Sequence, residues 1–283
     1  MQPGEQWDLE IKSKSKLIDF DFAEVWRYRD LMWLFVKRDF IAQYKQTVLG
    51  PLWHLIQPIL TTIMFVLVFG RIARLSTDGI HPILFYMSGI TIWNYFSICL
   101  TSTSNTFVTN ASIFGKVYFP RIIMPISAIF SNLIRFLVQV LLLASVITWY
   151  HFHGYPFAFS VNLLLIPVLL IMVGAIALGM GIIVSSLTTK YRDFSVLLVF
   201  AVQLGMYATP IAYPMSFLTD QSYAAILRLN PLSPIVEAFR YSLFGKGMFS
   251  ALSLLQSASF ALVTLFIGLI LFNKVQKSFM DTV

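Results

Sequence analysis

Six small polar residues recur every three or four positions between 91 and 109: Thr91, Asn94, Ser97, Thr101, Asn105 and Thr109. On a helix they form one stripe, which Ser102, Thr103, Ser104 and Thr106 widen. Hydroxyls and amides along one face can trade hydrogen bonds with a hydroxyl-rich molecule without trapping a charge. The same residue types let helices approach closely and bond across the contact. The stripe therefore suits a polar path and helix–helix glue alike. Tyr86, Trp93, Tyr95 and Phe96 flank it, and their rings suit the C–H faces of sugars, an interfacial belt or core packing. Two further pairs, Gln57 with Thr61 and Gln203 with Tyr207, share a helical face at i, i+4 and could line the same path.

Arg135 is the sharpest single residue, because it falls inside an apolar run. Such an arginine is costly in a membrane and faces the bundle interior or water. It could meet a phosphate, pair with an acid, or snorkel to the nearer surface, and no acid lies near it in sequence. Glu237 and Arg240, at i, i+3, are placed to pair with each other.

Other chemistries lack their residues. No G-x-x-x-x-G-K-[ST] occurs, and the nearest string, Leu243 to Gly247, has neither the spacing nor the hydroxyl. This excludes ATP binding by a P-loop, so no cofactor is expected in the chain. The histidines offer no H-x-x-x-H pair, and no metal site is expected. There is no G-x-S-x-G elbow. Carboxylates are scarce in the apolar runs, which argues against an ion-coupled relay. The residues describe a conduit rather than a catalyst.

The elements that must position these residues follow from composition. Of 283 residues, 58% are hydrophobic and only 12% are charged. A soluble domain could not hide that surface, whereas roughly 20 apolar residues span a bilayer as a helix. The predicted fold is an all-α integral membrane protein with six transmembrane helices, near 53–70, 82–106, 125–150, 161–187, 194–213 and 251–272. Residues 1–22 read as a polar tail without the apolar core or cleavage site of a signal peptide. Residues 23–49 read as an amphipathic interface helix, with Tyr28, Leu31, Met32, Phe35 and Val36 on one face and Arg27, Arg29, Lys37 and Arg38 as its cations. Trp33 and Leu34 intrude on the polar side, and a packed soluble helix is the alternative.

Residues 50–273 form the transmembrane domain. Within it, 110–121 (NASIFGKVYFPR) is a basic segment whose Lys116, Tyr118, Phe119 and Arg121 suit a short helix docking into a soluble partner. Segment 214–250 is cut by Pro214, Pro231, Pro234, Gly245 and Gly247 and reads as two short re-entrant or interfacial helices. Residues 274–283 are a short tail. The net charge is +7, and the charges cluster at the ends of apolar runs, which fits membrane topology better than a nucleic-acid groove. With the N-terminus inside, inner segments hold fourteen Lys and Arg and outer ones five, which predicts that both termini are cytoplasmic. The lone Cys99 excludes an internal disulfide.

Five strings resemble the permease subunits of type-two ABC exporters for polysaccharides. They are WRYRDLMWLFVKRDFIAQYKQTVLGPLWHLIQP (Trp26 to Pro58), FGKVYFPRIIMPIS (Phe114 to Ser127), KYRDF (Lys190 to Phe194), ATPIAYP (Ala208 to Pro214) and LNPLSPIVEAFRYSLFGKG (Leu229 to Gly247). The resemblance implies a homodimer bound to two copies of a separate cytoplasmic ATPase, which carries the ATP and Mg. It implies a bacterial inner-membrane location and a conduit between protomers. It would make 110–121 the coupling helix, with Phe114, Lys116, Tyr118, Phe119 and Arg121 at the ATPase. It would make the N-terminal helix, with Arg27, Arg29, Lys37 and Arg38, a gate to access, and 214–250, with Glu237 and Arg240, a periplasmic gate. The Trp26 to Pro58 string is most similar to O-antigen exporters, which move polymer on undecaprenyl pyrophosphate. Teichoic acid, capsule, or a small drug or lipid are the alternative cargoes. A membrane glycosyltransferase would need clustered acids that the chain lacks, and a plain anchor would not need Arg135.

Overall fold

The computed structural model describes residues 22–45, 47–155, 161–218 and 227–282, all of whose regular structure is helical. Helix α1 spans Phe22–Arg27 and α2 spans Arg29–Tyr44. Helix α3, Trp53–Phe65, runs on as a π-helical stretch, Val66–Ile72. Helix α4 is Pro82–Ser104, and the single turns α5 and α6 are Thr106–Thr109 and Ala111–Phe114. Helices α7, Ile123–Phe152, α8, Leu165–Thr188, and α9, Asp193–Ala208, follow. Helix α10 is Ser233–Phe244 and α11 is Ala251–Thr282.

Five helical stretches are long and apolar enough to cross a bilayer: Gly50–Ile72, Pro82–Ser104, Ile123–Phe152, Val161–Thr188 and Ala251–Gln276. The shortest of them has 23 residues, and a helix of that length reaches about 35 Å, beyond the roughly 30 Å hydrocarbon core. The run expected at 194–213 is shorter. Helix α9 has 16 residues and stops at Ala208, because Pro210 drives Thr209 out of the helical region to ψ 142°. The last helix, expected to end near 272, continues to Thr282. The expected polar tail 1–22 lies almost wholly outside the described residues, as does 219–226 of the broken segment 214–250.

The chain divides into a bundle with two distinct ends. At one end α2, the 105–122 connection, the end of α8 and the end of α11 meet around Phe35, Phe107, Phe114, Phe119, Ile123, Ile182 and Phe272. At the other, here called the far end, the loop before α4 meets residues near 216 and 246: Ser216 donates to Asp78 at 2.8 Å and Lys246 to the Gly79 carbonyl at 2.6 Å. Helix α4 is the central element, enclosed by α3, α7, α8, α9 and α10. Most of its length is buried, whereas the α3 stretch is largely exposed and its outer face is bare in the single chain.

Helices α8 and α11 touch through glycine. A Cβ on Gly179 would sit 2.6 Å from the Leu265 nitrogen, and one on Gly268 would sit 2.9 Å from the Gly179 carbonyl oxygen. Backbone cannot yield as a side-chain tip can, so Gly179→Ala is expected to prise the helices apart. Overpacking of this kind costs about 1–3 kcal/mol, to be read as a lowered thermal midpoint of the detergent-solubilised protein.

The interface helix differs from the continuous 23–49 segment expected. It breaks at Tyr28, between α1 and α2, and ends at Tyr44. Its apolar face is the one the spacing indicates: Phe35 and Val36 are buried, Tyr28, Leu31 and Met32 half-buried, while Trp33 and Leu34 stay exposed. That face lies on α7 and on the Phe cluster, where the Phe35 and Phe119 rings are 5.6 Å apart.

Candidate functional site

A polar cavity of about 520 Å³ opens between α2, the end of α4 and α7. Helix α2 contributes Arg38, Asp39 and Gln43. Thr101, Ser102, Asn105, Thr109 and Asn110 come from the end of α4 and the turns after it, and Ser127, Ser131, Asn132 and Arg135 from α7. Two guanidinium groups and one carboxylate therefore share a chamber otherwise lined mainly by hydroxyls and amides.

The α4 stripe divides along its length. Thr91 is buried and returns its hydroxyl to the Met87 carbonyl at 2.8 Å. Asn94 donates to Gln139 of α7 at 3.4 Å, Asn132 donates to Ser102 at 3.2 Å, and Thr103 donates to the Ala177 carbonyl of α8 at 3.3 Å. These bonds join helices. Ser97 caps back to Asn94, Thr101 to Ser97 and Asn105 to Thr101, each on a main-chain carbonyl of its own helix. Thr101, Asn105 and Thr109 then line the chamber, with Thr101 and Thr109 exposed. Glue and open polar surface are thus successive halves of one stripe.

The partner stripe on α7 escaped the sequence reading. Ser127, Ser131, Arg135 and Gln139 recur at every fourth residue, with Asn132 beside them. The period was available, but the arginine alone drew notice. Arg135 is half-buried, and none of the described hydrogen bonds or ion pairs engages it. Asp39 and Tyr44 lie within electrostatic reach of it. Asp39 is held by Arg38, at 2.7 Å from Nη2 and 2.9 Å from Nε. Arg38 also reaches the Asn110 side-chain oxygen at 3.4 Å and lies 4.9 Å over the Phe35 ring. Arg27, Arg29 and Lys37 are exposed and outside the chamber, Arg29 donating to the Trp26 carbonyl.

Several expected path residues are elsewhere. Trp93 and Tyr95 are packed in the core, Trp93 against Phe96 and Gly205 and Tyr95 against Phe136. In a membrane protein an apolar ring serves the core as readily as a path, and α4 is central. Gln57 and Thr61 lie on α3 and Gln203 and Tyr207 on α9, away from the chamber, all but Thr61 exposed.

The segment 110–121 is a single turn, α6, followed by a loop rather than a docking helix of its own. Phe114 and Phe119 are buried, and Arg121 donates to the Gln276 carbonyl and sits 5.6 Å over the Phe114 ring. Lys116, Val117 and Tyr118 are exposed. The tether and the buried rings tie this loop to α2 and α11, and the exposed tip is what a partner could reach.

At the far end Arg240 closes the gap left where α9 stops. Residues 209–214 are not helical, and non-helical backbone at membrane depth must find partners inside the protein. Arg240 donates to the Pro210 carbonyl at 2.6 Å, to Ile211 at 3.1 Å and to Phe85 at 3.5 Å, and lies 3.7 Å over the Phe85 ring. Asn230 donates to the Ala208 carbonyl at 3.1 Å. Arg240 is fully buried and its counter-ion is Glu237, 3.2 Å away, the local pair the spacing indicated. Glu237 in turn accepts from the Met215 and Met248 amides, each at 3.3 Å. Gly89 leaves room for the guanidinium, since a Cβ there would lie 2.7 Å from Nη2.

Residues 30–244 match the sequence profile of the ABC-2 type transporter family. The chain belongs to that family. It is therefore a membrane-embedded transport subunit and not an enzyme, and its family works with a partner ATPase. An O-antigen export system permease protein of Klebsiella pneumoniae is 27% identical over 254 residues, 89% of this chain and 94% of that protein. One of the same description from Myxococcus xanthus is 23% identical, over 92% of this chain and 98% of its own length. A polysialic acid transport protein of Escherichia coli is 24% identical, over 87% and 93%.

Proposed function

We propose that this ABC-2 permease exports lipid-linked polysaccharide from the cytoplasm to the periplasm, with O-antigen on undecaprenyl pyrophosphate as the cargo. The observation that carries the reading is the chamber beneath α2. A greasy drug would find too many hydroxyls and two charges there, whereas a sugar polymer with a phosphorylated end finds partners for both parts. Arg38 and Arg135 would meet the phosphates, for which guanidinium is well shaped. The stripe from Thr101 to Thr109 would take the first sugars by exchange of hydrogen bonds. The names of the relatives support a polysaccharide cargo, and polysialic acid or another capsule polymer is the second reading, favoured by the Escherichia coli relative.

In this reading two copies assemble, and the bare outer faces of α3 and α9, with Gln57, Thr61, Gln203 and Tyr207, complete the conduit between them. Helix α9 counts as a sixth, shortened pass, and both termini lie in the cytoplasm of the bacterial inner membrane, as the lysine and arginine bias favours. Helix α2 gates access to the chamber. Two ATPase copies, holding ATP and Mg, dock at the exposed tip of 115–118, and the broken segment near Glu237 and Arg240 forms the periplasmic gate.

The deciding experiment is ATP hydrolysis by the chain in complex with its ATPase, in lipid, with and without lipid-linked polysaccharide. Stimulation by the polymer is expected. Hydrolysis indifferent to polymer but raised by small amphiphiles would reverse the reading. For the docking site, Lys116→Glu with Tyr118→Ala is expected to reduce co-purification of the ATPase at least several-fold while the permease itself melts unchanged. Undiminished recovery would move the docking site elsewhere.

A further inference from the structure

A second cleft, of about 560 Å³, opens at the far end between α3, α4 and α7. It differs in kind from the chamber under α2. Its walls are Ile63, Leu67, Met87, Val146 and Trp149, and its one charge is Arg71. One wall includes the π-helical end of α3, a rare form that concentrates at functional sites. Arg71 is exposed, and none of the described hydrogen bonds or ion pairs engages it. The carboxylate of the same loop, Asp78, accepts instead from the Ser216 hydroxyl. Trp149 is 55% exposed and stacks on His153 at 4.1 Å, the position and chemistry of an interfacial anchor. The cleft thus presents an apolar slot between membrane-spanning helices, an aromatic rim near the end of α7 and a cation beside it.

We infer that this cleft binds one anionic phospholipid of the adjacent leaflet, its acyl chain along Ile63, Leu67 and Met87 and its phosphodiester at Arg71. A phosphodiester bears a single charge and meets a single arginine here, with no carboxylate among the described residues that line the cleft. The chamber proposed for the cargo pyrophosphate lies at the opposite end of the bundle, where Asp39 accompanies Arg38 and Arg135. The volume falls within the roughly 300–1,000 Å³ of ordinary ligand sites.

The test uses the complex of the full chain with its ATPase, reconstituted in equal phosphatidylglycerol and phosphatidylethanolamine, with retained lipids counted by native mass spectrometry. One basic residue at the bilayer surface is expected to give phosphatidylglycerol about a fivefold preference. Arg71→Gln should bring the two lipids to parity. Ile63→Trp, which fills the mouth from a half-exposed position, should lower the retention of both. Arg74→Gln removes the same charge from the same loop outside the cleft and should keep the preference. Parity in the unaltered complex would overturn the assignment, as would a preference that survives Arg71→Gln or disappears with Arg74→Gln. Efficient disulfide formation between Ile63→Cys copies in membranes would overturn it too, by giving the cleft to a second copy. The readout involves no polymer, so its failure leaves the export reading standing, and the failure of that reading leaves this one.

Discussion

Replacing Arg240 with methionine is expected to destabilise the protein by about 3–5 kcal/mol, the usual cost of removing one partner from a buried ion pair. Three consequences add up in one variant. The Pro210 and Ile211 carbonyls lose their donors, and unpaired carbonyls in a dry interior are expensive. Glu237, 2% exposed, is left as a lone buried acid. Phe85 loses the guanidinium stacked on its ring. The measurement is the thermal or denaturant midpoint in detergent, together with the amount of protein reaching the membrane. Glu237→Gln in the same chain should recover part of the loss, because it removes the stranded charge but restores no donor to the carbonyls. Arg240→Lys should fall between, since one ammonium keeps the charge but cannot fork to two carbonyls. A stable Arg240→Met protein would mean that bonds such as those of Asn230 and Tyr213 to the Ala208 and Tyr207 carbonyls suffice to hold the 209–214 segment.

The sequence foretold the helices better than the site, for a physical reason. Apolar runs are local, and so is the spacing that put Tyr28, Leu31, Met32, Phe35 and Val36 on the inner face of α2. The early end of α9 was equally local, since Pro210 forbids a helical Thr209. It went unread because the run stays apolar as far as Tyr213, and hydropathy does not register where backbone bonds stop. The pair Glu237–Arg240 could be foreseen as a pair, but not as the donor set for carbonyls 30 residues back in the chain. Spacing could not place Trp93 and Tyr95, because path, belt and core reward the same rings, and burial in the centre of the bundle is a tertiary outcome. The chamber needs Arg38, Asn110 and Arg135 together, from three elements that only folding brings to one place.

Replacing Arg135 with alanine is expected to cut polymer export by roughly 10–100-fold, with the amount of folded permease unchanged. The reasoning rests on the contrast with Arg240. Arg135 is half-buried and holds no carbonyl or carboxylate among the described residues, so its removal strands nothing. What it offers is a donor set facing the chamber, and a hydrogen bond to a charged group contributes about 1.5–3 kcal/mol, one to two powers of ten in affinity. Arg38 behaves differently because Asp39 is tied to it at 2.7 Å. Arg38→Ala frees that carboxylate to repel a phosphate and to occupy Arg135, so its export defect should match or exceed that of Arg135→Ala. Adding Asp39→Asn removes the freed charge and should return part of the export lost by Arg38→Ala, although the double variant has fewer charged groups than either. Surface polymer quantified against permease level in the membrane reads all three variants. A double variant no better than Arg38→Ala would show that Arg38 acts by tying α2 to Asn110 rather than by presenting positive charge to the cargo.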